Sequence, residues 1–223
     1  MSMSSTGGII ALALGVKQWP VSHCIKVFSE LCDQAFTERE FAGVWGLEQL
    51  TSLNHGSKYK TRPLHEALHK CLGDEALFGG EREVNPEFAI KVGVTSTSGT
   101  GGDALLISNY CRPQYAAHSE AYTFLRDAGP HLELTVSEAA AATSAAPGYF
   151  KAFYHQATKK SFWDGALYNN NPVHIADSEW KLLWPDIADS QPDLLLSIGT
   201  GTNAGTIGRE LDRQQYTLDK RSA

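Results

Sequence analysis

The run "MSSTGGIIALALG" (residues 3–15) places a serine, Ser5, ahead of Thr6, Gly7 and Gly8 and then of an apolar, helix-forming segment. A serine on a sharp strand-to-helix turn is a nucleophile elbow: glycines let neighbouring backbone pass closely, and the helix N-terminus favours negative charge at the hydroxyl. Such a turn asks for GxSxG, and here Met3 stands at the first glycine position, where a side chain crowds the turn. A serine hydroxyl attacks only when a positioned base takes its proton. "FWDGALYNNNP" (162–172) supplies a carboxylate, Asp164, before a Gly165-Ala166 turn at the end of an aromatic, strand-like run. Each half also has an ordinary reading, Ser5 as one of several helix-capping serines at a loose terminus and Asp164 as the start of an Asp-Gly turn. His155 and His174 lie near Asp164 in sequence and would complete a conventional triad instead.

A second chemistry is suggested by "HEALH", His65 to His69, in which two imidazoles one helical turn apart and a glutamate match the HExxH zinc-hydrolase pattern. The helix that carries it buries Leu64, Leu68, Cys71 and Leu72, which leaves His65, Glu66 and Lys70 on the wet side with His69 beside them. No GxxH continuation follows, and Glu87 is the one third ligand on offer. A solvated helix face is the better reading, with no metal. "SIGTG" and "GTGGD" are glycine-rich but neither runs as GxGxxG into a helix, and no GxxxxGK[ST] occurs, so nucleotide binding is not expected.

The elements that must position these residues follow from pattern. At 223 residues and 42% hydrophobic, the chain can bury one sizeable core, and helical and extended patterns alternate as in an α/β domain. "PVSHCIKVFSELCDQAF" starts with Pro20 and sets Val21, Ile25, Phe28, Leu31, Cys32 and Ala35 on one helical face. "FAIKVGV" and "ALLISNY" flank "TSTSGTGGD", which predicts two strands joined by a flexible turn. "NNPVHIADSEWKLLW" starts as a helix at Pro172, and "DLLLSIG" is a continuous apolar run of the kind found in buried parallel strands. A net charge of −6 offers no footprint for nucleic acid. Cys24, Cys32, Cys71 and Cys111 form no CxxC pair, which fits reduced thiols and a cytoplasmic setting. Ile9 to Val16 is apolar, but nothing basic precedes it and a spanning helix needs about 20 apolar residues, so neither a signal nor a membrane segment is expected.

Four blocks, "SSTGGIIAL", "SEAAAATSAAPGYF", "WDGALYNNNPV" and "LLLSIGTGT", occur in an order and spacing that resemble the patatin-like phospholipase family of acyl hydrolases. The resemblance covers about Ser4 to Thr202. It implies a three-layer α/β/α sandwich with a mostly parallel central sheet over residues 1–202, a polar and flexible tail over 203–223, and cleavage of lipid acyl esters without a cofactor. It assigns Ser5 as nucleophile and Asp164 as its partner in a dyad, which argues against the His155 or His174 triad. Gly7 and Gly8 match the elbow glycines, Gly165 belongs to the catalytic turn, and the Thr6 N–H is a candidate oxyanion donor. A lipid ester is the implied substrate, with room for transient contact with a membrane surface. Two departures stand out: Ala141 occupies a place where an arginine is frequent, and only four residues precede Ser5, where the family has a first strand and a glycine-rich oxyanion loop. On the sequence alone these read as a domain that has lost its N-terminal part, expected to hydrolyse esters slowly or, as a silent remnant, to serve as a binding or signalling module.

Overall fold

A computed structural model describes residues 1–36, 57–78, 90–99, 102–113, 121–126 and 129–199. The chain divides into two units, Met1–Ser190 and Gln191–Ala223. The elements of the first are β1 (Ser2–Met3), α1 (Ser5–Ala11) continued by a π-helical turn (Leu12–Val16), α2 (Val21–Ala35), α3 (Thr61–Leu72), β2 (Gly93–Ser98), β3 (Ala104–Ser108), β4 (Thr123–Leu125), α4 (Val136–Thr143), β5 (Phe153–His155), β6 (Lys160–Asp164), α5 (Ala166–Asn169) and α6 (Val173–Leu183). In the second, the described part of "DLLLSIG" is not a buried strand: Leu194, Leu195, Leu196 and Ile198 are all exposed, and no strand pairing engages them among the described residues. The 203–223 tail and Glu87 lie outside the described residues.

The sheet is mixed, in the order β4-β3-β2-β6-β5, with β1 paired to β2 off that path. β2 with β3 is the expected hairpin, antiparallel from Gly93↔Ser108 to Thr97↔Ala104. Its connection is shorter than the sequence suggested, because Thr95 to Ser98 belong to the strand. Alternation along β3 separates two cores: Leu105 and Ile107 join Ile9, Leu12, Leu68 and Ala140 on one face, while Ala104 and Leu106 meet Ile175 of α6 on the other. Helices thus cover both faces. Helix α2 buries the i, i+7, i+11 stripe Cys24, Leu31 and Ala35 with Phe28 half-buried among them. Val21 and Ile25 belong to the neighbouring stripe and are exposed, contrary to the face assigned above. All four cysteines are free thiols.

Candidate active site

The central strand brings the two halves of the site together. β1 lies parallel to β2 with Met3 opposite Val94, whereas β6 lies antiparallel to it with Asp164 opposite Ser96. Both run along the same edge of β2, from opposite ends, and both stop at Thr95. Ser5 therefore follows β1 into the gap where β6 delivers Asp164, although 159 residues separate them. The Ser5 hydroxyl donates to Asp164 Oδ2 at 2.6 Å.

Around Ser5 the chain makes the sharp turn expected of an elbow. Ser5 itself has φ +54°, a left-handed conformation that costs a non-glycine residue about 1 kcal/mol or more. Gly8 is required by close packing, since a Cβ there would lie 2.7 Å from Thr143 Cγ2. Gly7 faces Met3: a Cβ at Gly7 would meet the Met3 Sδ at 3.4 Å, so the methionine that replaces the first elbow glycine lies over the next one. Thr6 is exposed in the first turn of α1, where amide N–H groups have no intrahelical acceptor.

Asp164 is held from several sides. Its N–H donates to Ala145 O at 3.0 Å, its carbonyl accepts from Thr97 Oγ1 at 3.0 Å, and its Oδ1 accepts the Ala166 N–H at 2.7 Å. Fixing Oδ1 on the backbone leaves Oδ2 to the serine. At Gly165 a Cβ would lie 2.3 Å from both the carbonyl oxygen and Oγ1 of Thr95, so only glycine lets the turn approach the strand. Asp164 is 3% exposed, and burial pushes its carboxyl above the ordinary aspartate range against the opposing pull of the bonds from Ser5 and Ala166.

Sequence reasoning missed the hydroxyl-rich scaffold behind this pair. Ser96 Oγ donates to Trp163 O at 2.8 Å, and Thr143 Oγ1 donates to Thr95 O at 2.7 Å, which ties α4 and β6 to β2. The signal was present in "TSTS", whose alternating β-branched residues suit a strand better than a loop. At the head of α4, Thr135 and Glu138 form a capping box, and Ala139 to Ala142, Ala141 among them, are all buried.

The histidine alternatives lie elsewhere. His155 is buried with Nδ1 2.8 Å from Thr158 Oγ1 and Nε2 3.8 Å from Glu138, and His174 is exposed on α6. In the HEALH stretch, Glu66 is engaged by Arg62 at 2.6 Å and His69 by Asp74 at 2.7 Å. His65 is half-buried with its ring edge-on to Phe153, and burial lowers its pKa. Among the described residues no group of three or more His, Cys, Asp or Glu side chains is arranged to hold a metal ion.

Residues 2–177 match the family model described as patatin-like phospholipase. Among curated proteins, the chain is 29% identical to phospholipase A I of Arabidopsis thaliana over 89% of its own length and 18% of that protein's. It is 27% identical to the cGAMP-activated phospholipase of Escherichia coli over 98% of itself and 53% of the relative. It is also 27% identical to human calcium-independent phospholipase A2-gamma, over 88% of itself and 23% of the relative. The chain thus spans about half, or less, of the length of these relatives.

Proposed function

The chain belongs to the patatin-like phospholipase family and has its fold, a mixed central sheet between helical layers, and on that premise we propose that it cleaves lipid acyl esters through a Ser5–Asp164 dyad. The observation that carries this reading is the direct 2.6 Å bond from the Ser5 hydroxyl to Asp164 Oδ2, with no imidazole between them. The phospholipase names of the relatives support a lipid ester as substrate.

The chemistry follows from the arrangement. As Ser5 Oγ attacks the acyl carbonyl carbon, its proton passes to Asp164 Oδ2, whose low-dielectric surroundings make it a stronger base than a solvated carboxylate. The tetrahedral intermediate collapses with loss of the alkoxide, which takes that proton and leaves as an alcohol, and the acyl group stays on Oγ. A water then gives its proton to the same carboxylate, attacks the acyl carbon and releases the fatty acid as Oγ regains a proton. The Thr6 N–H, next after the nucleophile, is one donor for the oxyanion.

In an assay on a p-nitrophenyl ester, Ser5→Ala and Asp164→Asn are each expected to lower turnover by about 10³-fold or more, with comparable residual rates, because the two act as one unit. A fluorophosphonate probe is expected to label wild type at Ser5 and to leave the serine variant unlabelled. Full turnover in Asp164→Asn together with loss in His155→Ala or His174→Ala would overturn the dyad.

A further inference from the structure

Beside the site, two stretches of chain form a face of unusual chemistry. The Lys58 and Tyr59 N–H groups donate to Gly148 O at 2.8 Å and Tyr149 O at 2.9 Å, and the Lys151 N–H donates to Thr61 Oγ1 at 2.9 Å. This lays residues 57–61 alongside 148–151. The rings of Tyr59 and Tyr149 stack with centroids 6.1 Å apart, and Phe36 meets Tyr59 edge-on at 5.1 Å. Tyr149 is nonetheless 53% exposed and Phe36 45% exposed, so this aromatic cluster reaches out of the protein.

The cluster is set among lysines. Lys58 Nζ lies 5.4 Å from the Tyr59 ring centroid, Lys58 and Lys151 are exposed, and Lys60 stands between them in the paired stretches. Residues 57–62 and 146–151 contain Lys58, Lys60, Arg62 and Lys151 and no acidic residue, in a chain of net charge −6. Arg62 is engaged by Glu66, but among the described residues Lys58, Lys60 and Lys151 enter no ion pair. The same stretch borders the catalytic turn: Ala145 accepts the Asp164 N–H, and the Tyr149 N–H returns to Ala146 O at 3.1 Å.

We infer that Phe36, Tyr59 and Tyr149 with Lys58, Lys60 and Lys151 form a docking face for a lipid surface carrying anionic headgroups. Amphipathic rings settle at headgroup level, and lysines reach past them to phosphates. A globally acidic protein is repelled by an anionic bilayer, and this face is where the repulsion is locally reversed. The inference rests on the acyl-hydrolase reading for its purpose, because a face on the stretch whose Ala145 carbonyl accepts the Asp164 N–H would bring the site to the layer in which its substrate lies.

The test uses vesicles of pure phosphatidylcholine and of an equal mixture of phosphatidylcholine and phosphatidylglycerol, with the full chain in a Ser5→Ala background so that the lipid stays intact. Sedimentation should show binding to the mixed vesicles that weakens as salt is raised, with much less binding to the neutral ones. Each lysine is expected to contribute about fivefold, so K58Q/K60Q/K151Q should bind the mixed vesicles about a hundredfold more weakly, and Tyr149→Ser several-fold more weakly. Equal binding by wild-type and triple-variant surfaces would overturn the inference. So would polyglutamate or duplex DNA binding the face as tightly as the mixed vesicles, which would make the partner an acidic macromolecule. With Ser5 restored, the triple variant should turn over a soluble p-nitrophenyl ester at the wild-type rate. A chain that docks by charge yet hydrolyses no ester would sink the acyl-hydrolase reading and support the docking face; one that hydrolyses but does not dock would do the reverse.

Discussion

Among the described residues two carboxylates are buried to nearly the same depth, Asp164 at 3% exposure and Glu179 at 4%, and their surroundings could hardly differ more. Glu179, on α6, accepts from Tyr122 Oη at 2.6 Å and Tyr110 Oη at 2.9 Å, and the Arg112 guanidinium binds it through Nε at 3.0 Å and through Nη2. That guanidinium lies over the Phe124 ring at 4.5 Å. Burial, and next to it Glu179, chiefly by its charge at Tyr110 and by its hydrogen bond at Tyr122, pushes both tyrosines far above the ordinary phenol range, so they stay donors. Among the described residues the Asp164 carboxylate has two donors, a serine hydroxyl and one backbone N–H, and no cation. A buried carboxylate with an arginine and two phenols is neutralised and becomes a fastening. One without a cation keeps an appetite for a proton, and that is what a base requires.

The largest effect that can break this contrast is at the fastening. Glu179→Ala leaves Arg112, whose side chain is 10% exposed, buried beside two phenols with no counter-charge. Loss of one partner from a buried pair costs about 3 to 5 kcal/mol, so chemical denaturation should show a drop of that size. Ester turnover per folded molecule should stay near wild type. A drop below about 1 kcal/mol, or a turnover loss as large as that of Asp164→Asn, would mean that the two carboxylates do not divide the work in this way.

A middle-sized effect separates the glycines of the site. Gly165→Ala drives a Cβ to 2.3 Å from the Thr95 carbonyl, which is backbone of the central strand and cannot swing aside. We expect about 1 to 3 kcal/mol of destabilisation from overpacking, and because the shift moves Asp164, about a hundredfold loss of turnover in what remains folded. Gly7→Ala places its Cβ at an ordinary 3.4 Å from the end of a flexible methionine and should change stability by less than about 1 kcal/mol. Reversal of that order in thermal denaturation would show that Thr95 yields.

This asymmetry also explains what could be read in the sequence. Ser5, Gly8, Asp164 and Gly165 could be singled out because each sits in a short block with a recognisable residue pattern, although the demands on the two glycines come from Thr143 and Thr95 in other segments, and the structure places those blocks at one edge of β2. The β2–β3 hairpin was legible for the same reason. The Glu179 cluster was not, because Tyr110, Arg112, Tyr122 and Glu179 come from separate segments with no pattern in spacing. Val21 and Ile25 were misassigned because two adjacent apolar stripes on α2 score alike, and only the neighbours decide which one is covered. "DLLLSIG" has the composition of a buried strand, yet apolar composition does not itself supply a strand with an edge to pair with.

The smallest expected effect is the sharpest test of the comparison, because its sign is at stake. Asp164→Asn keeps the shape of the side chain: the carboxamide oxygen can accept the Ala166 N–H, and its NH₂ faces the Ser5 hydroxyl oxygen. What it removes is a buried charge without a cation. In the folded chain burial raises the Asp164 pKa above its unfolded value, so the folded state binds this proton more tightly. Between the ordinary aspartate value and the raised one, stability therefore increases as pH falls, and the gain is lost as pH rises through the folded pKa. At neutral pH the wild-type carboxylate is a burden that the amide lacks. The variant should then be as stable as wild type or more stable by about 1 kcal/mol, while turning over ester only at the residual rate, as expected where a site is maintained at the expense of stability. On acidification the difference should shrink, because the wild-type group becomes neutral too. Denaturation curves for both proteins across this pH range measure it directly. If Asp164→Asn were instead less stable at neutral pH, with a deficit that disappeared on acidification, the carboxylate would be as well compensated as Glu179, and it would be a second fastening rather than a base.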